Sequence, residues 1–328
     1  MILPKLFLAP MADLTTPAFR RVVRTFSQNT VLYSEMISAA ALVKGGMRND
    51  YISTFHNFDT PMAFQIIGND AEVMAKAAEI LNEKNPFSID INMGCSAPEI
   101  LARNWGSALL RDKSIALNIV NKCRKRVKTL SVKMRMGFKE KDNEKLIKFA
   151  QDLQNEGVDY ITIHGRSSNM AFKRSANWDI AKILKNELNI PVIGNGDICS
   201  TSDAIVRLKI TDSIMIGRFA IRCPWIFSFI ENALENKSEN KLNEKSQKEI
   251  VITSIPKQVI DGINEFLPIE LRPSRILKFC VYFCLNLKFG HQLFKEIQKC
   301  DNSDNIIQLF DEYFNRNENE KFIAKEDV

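Results

Sequence analysis

The sequence predicts a (β/α)8 TIM barrel followed by a small all-helical C-terminal domain, and three observations support this fold class. Eight short apolar runs recur along the first two thirds of the chain, and amphipathic, helix-like segments lie between them. Such alternation is typical of parallel strands joined by right-handed helical crossovers. The eight units span residues 1–234, close to the ~250 residues of a typical barrel. The C-terminal part carries helical patterns rich in Phe, Leu and Ile.

The eight apolar runs are the predicted strands of the barrel. In chain order they are KLFLAP, TVLYSEM, PMAFQII, FSIDIN, LSVKMRM, DYITIHG, IPVIGNG and DSIMIGR. The predicted helices between them include AEVMAKAAEILNEK, SIALNIVNKCRKRVK and EKLIKFAQDLQNEG. A doubly wound open sheet is the alternative architecture. It is disfavoured because the units are nearly equal and show no obvious G-x-G-x-x-G in a first turn.

The predicted domains are the barrel over residues 1–234, a linker over 235–249 and a helical domain over 250–328. The linker sequence, ENKSENKLNEKSQKE, is polar and has no apolar periodicity. The helical domain includes RILKFCVYFCLNLKFGHQLFKEIQKC, and the final NENEKFIAKEDV is expected to fray.

The composition is that of an ordinary globular protein, with 45% hydrophobic and 26% charged residues. No apolar run reaches the ~18 residues of a membrane span, and the start MILPKLFLAP lacks the features of a signal peptide. Seven scattered cysteines without a C-x-x-C pair argue against a disulfide framework and against structural zinc. We expect a cytoplasmic, monomeric protein with no metal site and no membrane partner.

Positive charge is concentrated in two segments, although the net charge is only +6. Residues 121–139 hold eight basic residues and no acidic one, and residues 272–299 hold six basic residues and one acidic. Two basic patches can track a polyanion. The alternative is that both are solvated helix faces, which is the usual meaning of a charge run.

Polar and small residues cluster at the predicted strand ends, where barrels of this class form their active sites. They are Pro10, Met11 and Ala12 after strand 1, Gln65 on strand 3, Asn92 and Cys95 after strand 4, Lys133 and Arg135 on strand 5, His164 on strand 6, Asn195, Gly196 and Asp197 after strand 7, and Gly217 and Arg218 after strand 8. Each signal is weak alone, and their shared position is what favours a function.

Together these residue types suit a phosphorylated planar cofactor. Gly196 and Gly217 let backbone amides approach a phosphate, and Arg218 adds a fixed charge there. Lys133, on a central strand, can stabilise an anionic ring, and Gln65 offers a donor and an acceptor to a heterocycle. Flavin mononucleotide (FMN) fits because it has one phosphate and one flat ring, and it needs no separate βαβ unit for an adenosine.

The motifs also resemble those of the tRNA-dihydrouridine synthases. The stretches that carry the resemblance are LAPMA, FQIIGND, DINMGC followed by GSALLRD, SVKMRMG, ITIHGR, VIGNGDI and MIGRFAIRCPWIF. They cover the barrel, with a weaker echo around 275–299, and N-x-G-C followed by G-S-A-L-L is the most specific motif. The resemblance implies tRNA as the partner, NADPH or NADH as the reductant and Cys95 as the catalytic acid. The FMN-binding residues it implies are Pro10, Met11, Ala12, Gln65, Lys133, His164, Asn195, Gly196, Asp197, Gly217 and Arg218.

The implied reaction reduces the C5=C6 bond of specific uridines in tRNA. Hydride from reduced FMN adds at C6, and Cys95 donates a proton to C5. A thiol suits this task because it is protonated at neutral pH and yet far more acidic than a hydroxyl. Asn92 would hold a uracil edge, and Arg135 would contact the base or a phosphate. Because the base must leave its stack, the protein must also grip the RNA backbone, which gives the two basic segments a purpose.

The chain departs from the family pattern at several positions. They are Ser96, Pro98 and Glu99 after the cysteine, Met170 and Phe172 after His164, Phe219 after Arg218, and Phe279 in the helical region. Two alternatives stay open. One is an FMN-dependent barrel oxidoreductase acting on a free pyrimidine or enone, and the other is a flavin-retaining tRNA-binding protein with little catalysis.

Overall fold

The computed structural model describes residues 2–45, 50–138, 142–170, 174–239 and 249–324. Its centre is an eight-stranded parallel sheet in the order β1-β8-β7-β6-β5-β4-β3-β2. Val31 bridges Phe7 in the parallel sense, which joins the two ends of this order. The predicted (β/α)8 barrel is confirmed. Its strands are β1 Leu6–Leu8, β2 Leu32–Ser38, β3 Met62–Ile67, β4 Ser88–Met93, β5 Leu130–Arg135, β6 Tyr160–His164, β7 Val192–Asn195 and β8 Ser213–Ile216.

Helices separate every consecutive pair of barrel strands. The sequence sets several of their starts, because Asp70, Asp112 and Asp142 each accept backbone N–H bonds at the first turn of a helix. A short 3-10 turn, Gly106–Leu110, lies just before Asp112 in the chain. The helices are α1 Pro17–Phe26, α2 Ala39–Lys44, α3 Asp50–Ser53, α4 Ala71–Asn82, α5 Pro98–Leu101, α6 Lys113–Arg124, α7 Asn143–Asn155, α8 Asp179–Glu187 and α9 Thr201–Leu208.

Contacts divide the chain into two compact units. The first contains Met1–Pro10, Asn29–Ile198 and Val206–Ile216, and therefore all eight barrel strands. The second contains Met11–Gln28, Cys199–Ile205 and Gly217–Val328. The domain boundaries at 234 and 249 stay a prediction. One helix, Ile226–Glu239, continues past residue 234, and residues 240–248 of the predicted linker lie outside the described residues.

Apolar and aromatic side chains fill the barrel interior nearer the strand starts. The ring of Phe7 lies 6.1 Å from that of Tyr160 and 6.5 Å from that of Tyr33. The hydroxyl of Tyr160 is hydrogen-bonded to Ser88 at 2.6 Å and to Tyr33 at 3.1 Å, so both buried phenols have partners. Every second residue of a strand points into the barrel, so the inward-pointing residues that come later in each strand lie nearer its carboxyl end. The full cluster is Leu3, Phe7, Ala9, Val31, Tyr33, Ala63, Tyr160, Ile193 and Met215.

The second unit is built mainly from helices, and helix α1 belongs to it. Gly262 lies so close to α1 that a Cβ there would be 2.8 Å from the Cβ of Ala18. Arg21 and Glu265 form a 2.7 Å ion pair between the same two helices. A two-stranded antiparallel sheet, which the sequence pattern does not predict, accompanies them. The further elements are α10 Arg218–Arg222, α11 Ile226–Glu239, β9 Glu249–Val251, α12 Ile255–Phe266, α13 Arg272–Phe283, α14 Gly290–Ile297, α15 Ser303–Arg316 and β10 Phe322–Ala324.

Candidate active site

The turn after β4 fixes the backbone of Cys95. The side-chain oxygen Oδ1 of Asn92 accepts hydrogen bonds from the main-chain amides of Gly94 at 3.1 Å and Cys95 at 2.9 Å. Asparagine suits this turn because its short side chain reaches the backbone two and three residues further on. Cys95 is half-buried, so the residue is held at the carboxyl end of the barrel without being fully enclosed by the protein.

The 3-10 turn Gly106–Leu110 supports the same cysteine from another side. The main-chain amide of Ser107 donates a 2.8 Å hydrogen bond to the carbonyl oxygen of Cys95. Gly106 has a φ of +62°, and a Cβ there would lie 2.6 Å from that oxygen, so only glycine fits. The N-x-G-C and G-S-A-L-L motifs are therefore parts of one structural unit.

Four interior side chains form a hydrogen-bonded layer across β3, β4 and β5. Gln65 Nε2 donates to Asp90 Oδ2 at 2.7 Å, and Asn92 Nδ2 donates to Gln65 Oε1 at 2.7 Å. Ser131 Oγ donates to Asp90 Oδ1 at 2.6 Å. Burial raises the pKa of Asp90 to about 6, while the hydrogen bonds from Ser131 and Gln65 act in the opposite direction. The layer fixes the orientation of the Gln65 and Asn92 amides.

Lys133 lies next to this layer on β5. In the strand register it is paired with Asn92 of β4 and with Thr162 of β6. Burial lowers the pKa of Lys133 to about 8, although the charge of Asp90 raises it. The ammonium is therefore mostly protonated at neutral pH and loses its proton in mildly alkaline solution.

Arg135 connects the segments that follow β4 and β6. Its Nε donates to the carbonyl oxygen of Gly94 at 2.8 Å, and its Nη1 donates to that of Ser167 at 3.0 Å. The residue is only 7% exposed. It supports the backbone of the Cys95 turn, and its predicted contact with a base or phosphate stays a prediction.

The end of β7 is held by contacts with its neighbours. Asn195 Nδ2 donates to the carbonyl oxygen of Met215 on β8 at 2.8 Å, and His164 of β6 is paired with Asn195 in register. Gly196 has a φ of +126°, and a Cβ there would lie 2.8 Å from the Cβ of Ala176. The packing of the protein therefore requires a glycine at position 196. Its contact with a cofactor stays a prediction.

Asp197 is held by a buried arginine that the sequence-based assignment of roles missed. Arg166 Nη2 donates to both carboxylate oxygens, at 2.8 and 2.6 Å, and the amide of Ala176 donates to one of them at 2.7 Å. Arg166 is 2% exposed. Its position directly after His164 and Gly165 at a strand end is the signal that could have pointed to it. Asp197 therefore anchors the turn after β7.

The predicted site residues are distributed over both units. Met11 and Ala12 follow β1 in the chain and belong to the second unit, as do Gly217 and Arg218 at the start of the five-residue helix α10. Pro10 is assigned to the first unit. Those that the first unit brings to the carboxyl ends of adjoining strands are Gln65, Asn92, Cys95, Lys133, Arg135, His164, Asn195, Gly196 and Asp197.

Several departures from the family pattern have local structural reasons. Pro98 is the first residue of α5 and Glu99 lies in its first turn, positions that helices favour for proline and for an acid. Phe279 is buried in the second unit, with its ring 5.6 Å from that of Phe283. It is therefore a core residue there. Phe172 lies outside the described residues.

Across the described ranges, no helix is both long enough and apolar enough to cross a membrane. The same ranges contain no group of three or more His, Cys, Asp or Glu side chains placed to hold a metal ion. Each of the seven cysteines is a free thiol.

Comparison with known proteins identifies the family. The family model described as dihydrouridine synthase (Dus) matches residues 7–279. The chain belongs to the dihydrouridine synthase family. It is 38% identical over 272 residues to tRNA-dihydrouridine synthase B of Pasteurella multocida (strain Pm70), covering 81% of this chain and 79% of that protein. It is 30% identical over 273 residues to a probable tRNA-dihydrouridine synthase of Rickettsia prowazekii (strain Madrid E), covering 82% and 83% respectively.

The solved structures agree with the barrel of this dihydrouridine synthase family member. Histamine dehydrogenase from Rhizobium sp. 4-9 matches with a TM-score of 0.53 at 11% identity, over 71% of this chain and 47% of that chain. At such low identity the likeness shows the fold alone. The resemblance drawn from the sequence motifs is confirmed at the level of the family.

Proposed function

We propose that this protein is an FMN-dependent tRNA-dihydrouridine synthase that reduces the C5=C6 bond of specific uridines, with NADPH or NADH as the electron source. The observation that carries the proposal is the placement of Cys95. Its backbone is held by Asn92 and Ser107, and its half-buried thiol follows a strand whose neighbour carries Lys133. One relative is named tRNA-dihydrouridine synthase B and the other probable tRNA-dihydrouridine synthase. These names support tRNA as the substrate.

The donor set at the barrel mouth fits a flavin ring, whose pyrimidine edge presents carbonyl acceptors and gains negative charge on reduction. Lys133 supplies a cation. The Gln65 amide donates one hydrogen bond to Asp90 and accepts one from Asn92. A side-chain amide has a second hydrogen and a second oxygen lone pair, which could bind the flavin ring. When bound, FMN supplies the hydride that adds to C6 of the uracil. The residues proposed to hold it are Pro10, Met11, Ala12, Gln65, Lys133, His164, Asn195, Gly196, Asp197, Gly217 and Arg218.

Cys95 is proposed to donate the proton that completes the reduction. Its S–H bond breaks as a C–H bond forms at C5, and a thiolate remains. The pKa values of Lys133 and Arg135 are lowered by burial, but a negative charge on Cys95 raises both. Lys133 and Arg135 therefore place positive charge near this sulfur. A proton from solvent is proposed to restore the thiol for the next turnover.

Asn92 and Arg135 are proposed to orient the uracil. Besides its bond to Gln65, Asn92 Nδ2 donates to the sulfur of Met36 at 3.5 Å. A thioether is a weak acceptor, so a uracil carbonyl can replace it. Arg135 is proposed to contact the base or a phosphate through its guanidinium, in addition to its bonds to the backbone.

The basic segments 121–139 and 272–299 are proposed to grip the RNA backbone while the target base leaves its stack. Two cations of the second segment, Arg275 and Lys278, form ion pairs with Asp13, so part of the positive charge of that segment is compensated within the protein. We also propose a helical RNA-binding domain over 250–328, joined by a linker over 235–249 to the barrel of 1–234. The protein is proposed to act as a monomer in the cytoplasm.

The test compares Cys95→Ala with Cys199→Ala, which alters an exposed thiol of the second unit. Both holoproteins are incubated with NADPH and an unmodified tRNA transcript, and dihydrouridine is measured by mass spectrometry. Cys95→Ala should keep its yellow flavin and lose about 10²–10⁴-fold in rate, whereas Cys199→Ala should match the wild type. Undiminished turnover by Cys95→Ala would remove the proton-donor role.

Other outcomes of the same assay would contradict the synthase proposal itself. Turnover of a free pyrimidine or enone, with tRNA left unchanged, would indicate a small-molecule oxidoreductase. Salt-sensitive binding of tRNA without dihydrouridine formation would indicate a flavin-retaining RNA-binding protein.

A further inference from the structure

We propose that a pocket beside the Cys95 turn is a subsite for a nucleotide that flanks the target uridine. This inference rests on the proposed function, because it takes RNA to be the substrate. The pocket lies entirely within the first unit and has a volume of about 320 Å³. It is situated past the carboxyl end of β5, against the first turns of α6 and α7.

The walls of this pocket combine stacking surfaces with positive charge. The guanidinium carbon of Arg111 lies 3.7 Å from the centroid of the Phe138 ring. The ammonium of Lys113 lies 5.4 Å from the centroid of the Phe149 ring. RNA-binding proteins stack unpaired bases on aromatic rings and on arginine planes, and they pair phosphates with the same cations. The lining therefore suits a base together with its phosphate.

Arg111 is the cation best placed to meet a phosphate. It is exposed, and its guanidinium is held over Phe138 instead of pairing with any carboxylate of the described residues. Lys113, by contrast, donates to the carbonyl oxygen of Lys145 at 2.8 Å. Lys145 forms a 3.0 Å ion pair with Asp142.

The volume of the pocket favours a single nucleotide. At about 320 Å³ it is at the lower limit of the range for small-ligand sites. A nicotinamide dinucleotide carries two nucleotides and needs about twice the space of one. The pocket is therefore better matched to one residue of a bound RNA than to the reductant.

Two connections relate the pocket to the Cys95 turn. Ser107, which binds the Cys95 carbonyl, lies in the same 3-10 turn that ends at Leu110 in the pocket wall. Arg135, which donates a hydrogen bond to the Gly94 carbonyl, directly precedes Met136, which also lines the pocket.

The pocket thus lies at the same end of the barrel as the thiol and one strand away from it. A target base that leaves its stack deprives its neighbour of a stacking partner. We infer that the Arg111–Phe138 pair replaces that partner.

The test measures the Kd of an unmodified tRNA transcript for the holoprotein at several salt concentrations. Arg111→Ala should raise the Kd about tenfold and reduce the slope of log K against log salt by about one. Arg111→Lys should keep the slope but still weaken binding, because lysine keeps the positive charge but lacks the planar guanidinium on which a base can stack. Phe138→Ala should weaken binding several-fold at an unchanged slope. The matched control is Lys76→Ala, which removes one positive charge from an exposed residue outside both basic segments, paired with Glu79 at 2.6 Å, and it should change the Kd less than twofold.

Three results would overturn the inference. If wild-type protein reduces tRNA and Arg111→Ala binds it as Lys76→Ala does, the pocket is not an RNA subsite and the proposed function stands. If Arg111→Ala and Phe138→Ala raise the KM for NADPH and leave the Kd for tRNA unchanged, the pocket serves the reductant. If wild-type protein neither binds nor reduces the transcript, the proposed function fails and this inference fails with it.

Discussion

The main-chain amide of Ser107 donates a 2.8 Å hydrogen bond to the carbonyl oxygen of Cys95, while Asn92 Oδ1 accepts a 2.9 Å bond from the Cys95 amide. Both backbone groups of the cysteine are thereby fixed by residues from separate motifs. A thiol on such a backbone is confined to a small region. Proton transfer to a carbon atom requires this confinement, because donor and acceptor must meet at a defined distance.

Gly106→Ala should disturb this arrangement directly. The new Cβ would lie 2.6 Å from the Cys95 carbonyl oxygen and 3.1 Å from the Cys95 Cβ, on a backbone with a φ of +62°. We expect a loss of about 2–3 kcal/mol in the free energy of unfolding and at least a tenfold fall in dihydrouridine formation. Urea unfolding and mass spectrometry of reacted tRNA measure the two effects.

Gly45→Ala is the control for that variant. Gly45 has a similar φ of +70°, but a Cβ there would meet nothing within 4 Å. It should therefore cost about 1 kcal/mol from backbone strain alone and leave dihydrouridine formation unchanged. Equal losses of activity in the two variants would contradict a specific collision with Cys95.

Lys133→Met should reveal the pH dependence of a buried amine in the apoprotein. Burial lowers the pKa of Lys133 to about 8, whereas an unfolded chain keeps the proton to about pH 10. Between these values the unfolded state binds more protons, so stability rises with pH. The wild-type protein should thus gain stability relative to Lys133→Met between pH 7 and pH 10, by up to about 3 kcal/mol. Urea unfolding at pH 7, 8.5 and 10 measures this, and a constant difference would contradict it.

The barrel could be predicted because its pattern is local. Each of the eight strands lies within two residues of the apolar run that predicts it, since alternation and flanking turns act over a few neighbouring residues. The membership of α1 in the helical unit could not be predicted this way. It depends on contacts such as that of Ala18 with Gly262, for which no local pattern exists.

The candidate site was predictable where the strand ends carry polar residues, and less so where those residues need partners. Asp90 stands two positions before Asn92, on the same strand face, and this spacing was a usable signal. The pairing of Arg166 with Asp197 joins two loops 31 residues apart in the chain. The sequence shows both residues but not their contact.

Asp90→Asn should change the acidity of its neighbour. The charge of Asp90 raises the pKa of Lys133, which burial otherwise lowers to about 8. Without that charge the pKa of Lys133 should fall further, so less of the amine is protonated at pH 7.5. If protonated Lys133 stabilises the reduced flavin, the rate of flavin reduction by NADPH should fall as the pH rises through the pKa of Lys133. The midpoint of that fall should be lower in Asp90→Asn than in the wild type, by up to about one pH unit. Ser131→Ala keeps the carboxyl group but removes a hydrogen bond that lowers the pKa of Asp90, so it should move that midpoint in the same direction by a smaller amount.

Arg166→Met should show what the ion pair between buried Arg166 and half-buried Asp197 contributes at the end of β7. It removes both bonds to Asp197 and leaves the carboxylate without its buried cation, which should destabilise the protein by about 3 kcal/mol. Because the turn from Asn195 to Asp197 is proposed to bind FMN, less flavin should remain bound after gel filtration. Adding Asp197→Asn should restore part of the stability, since the uncompensated charge is gone. Arg126→Ala breaks an exposed pair with Glu79 and should change the stability far less, because solvent screens that pair. Equal effects of Arg166→Met and Arg126→Ala on unfolding would show that burial adds nothing to the Arg166 pair.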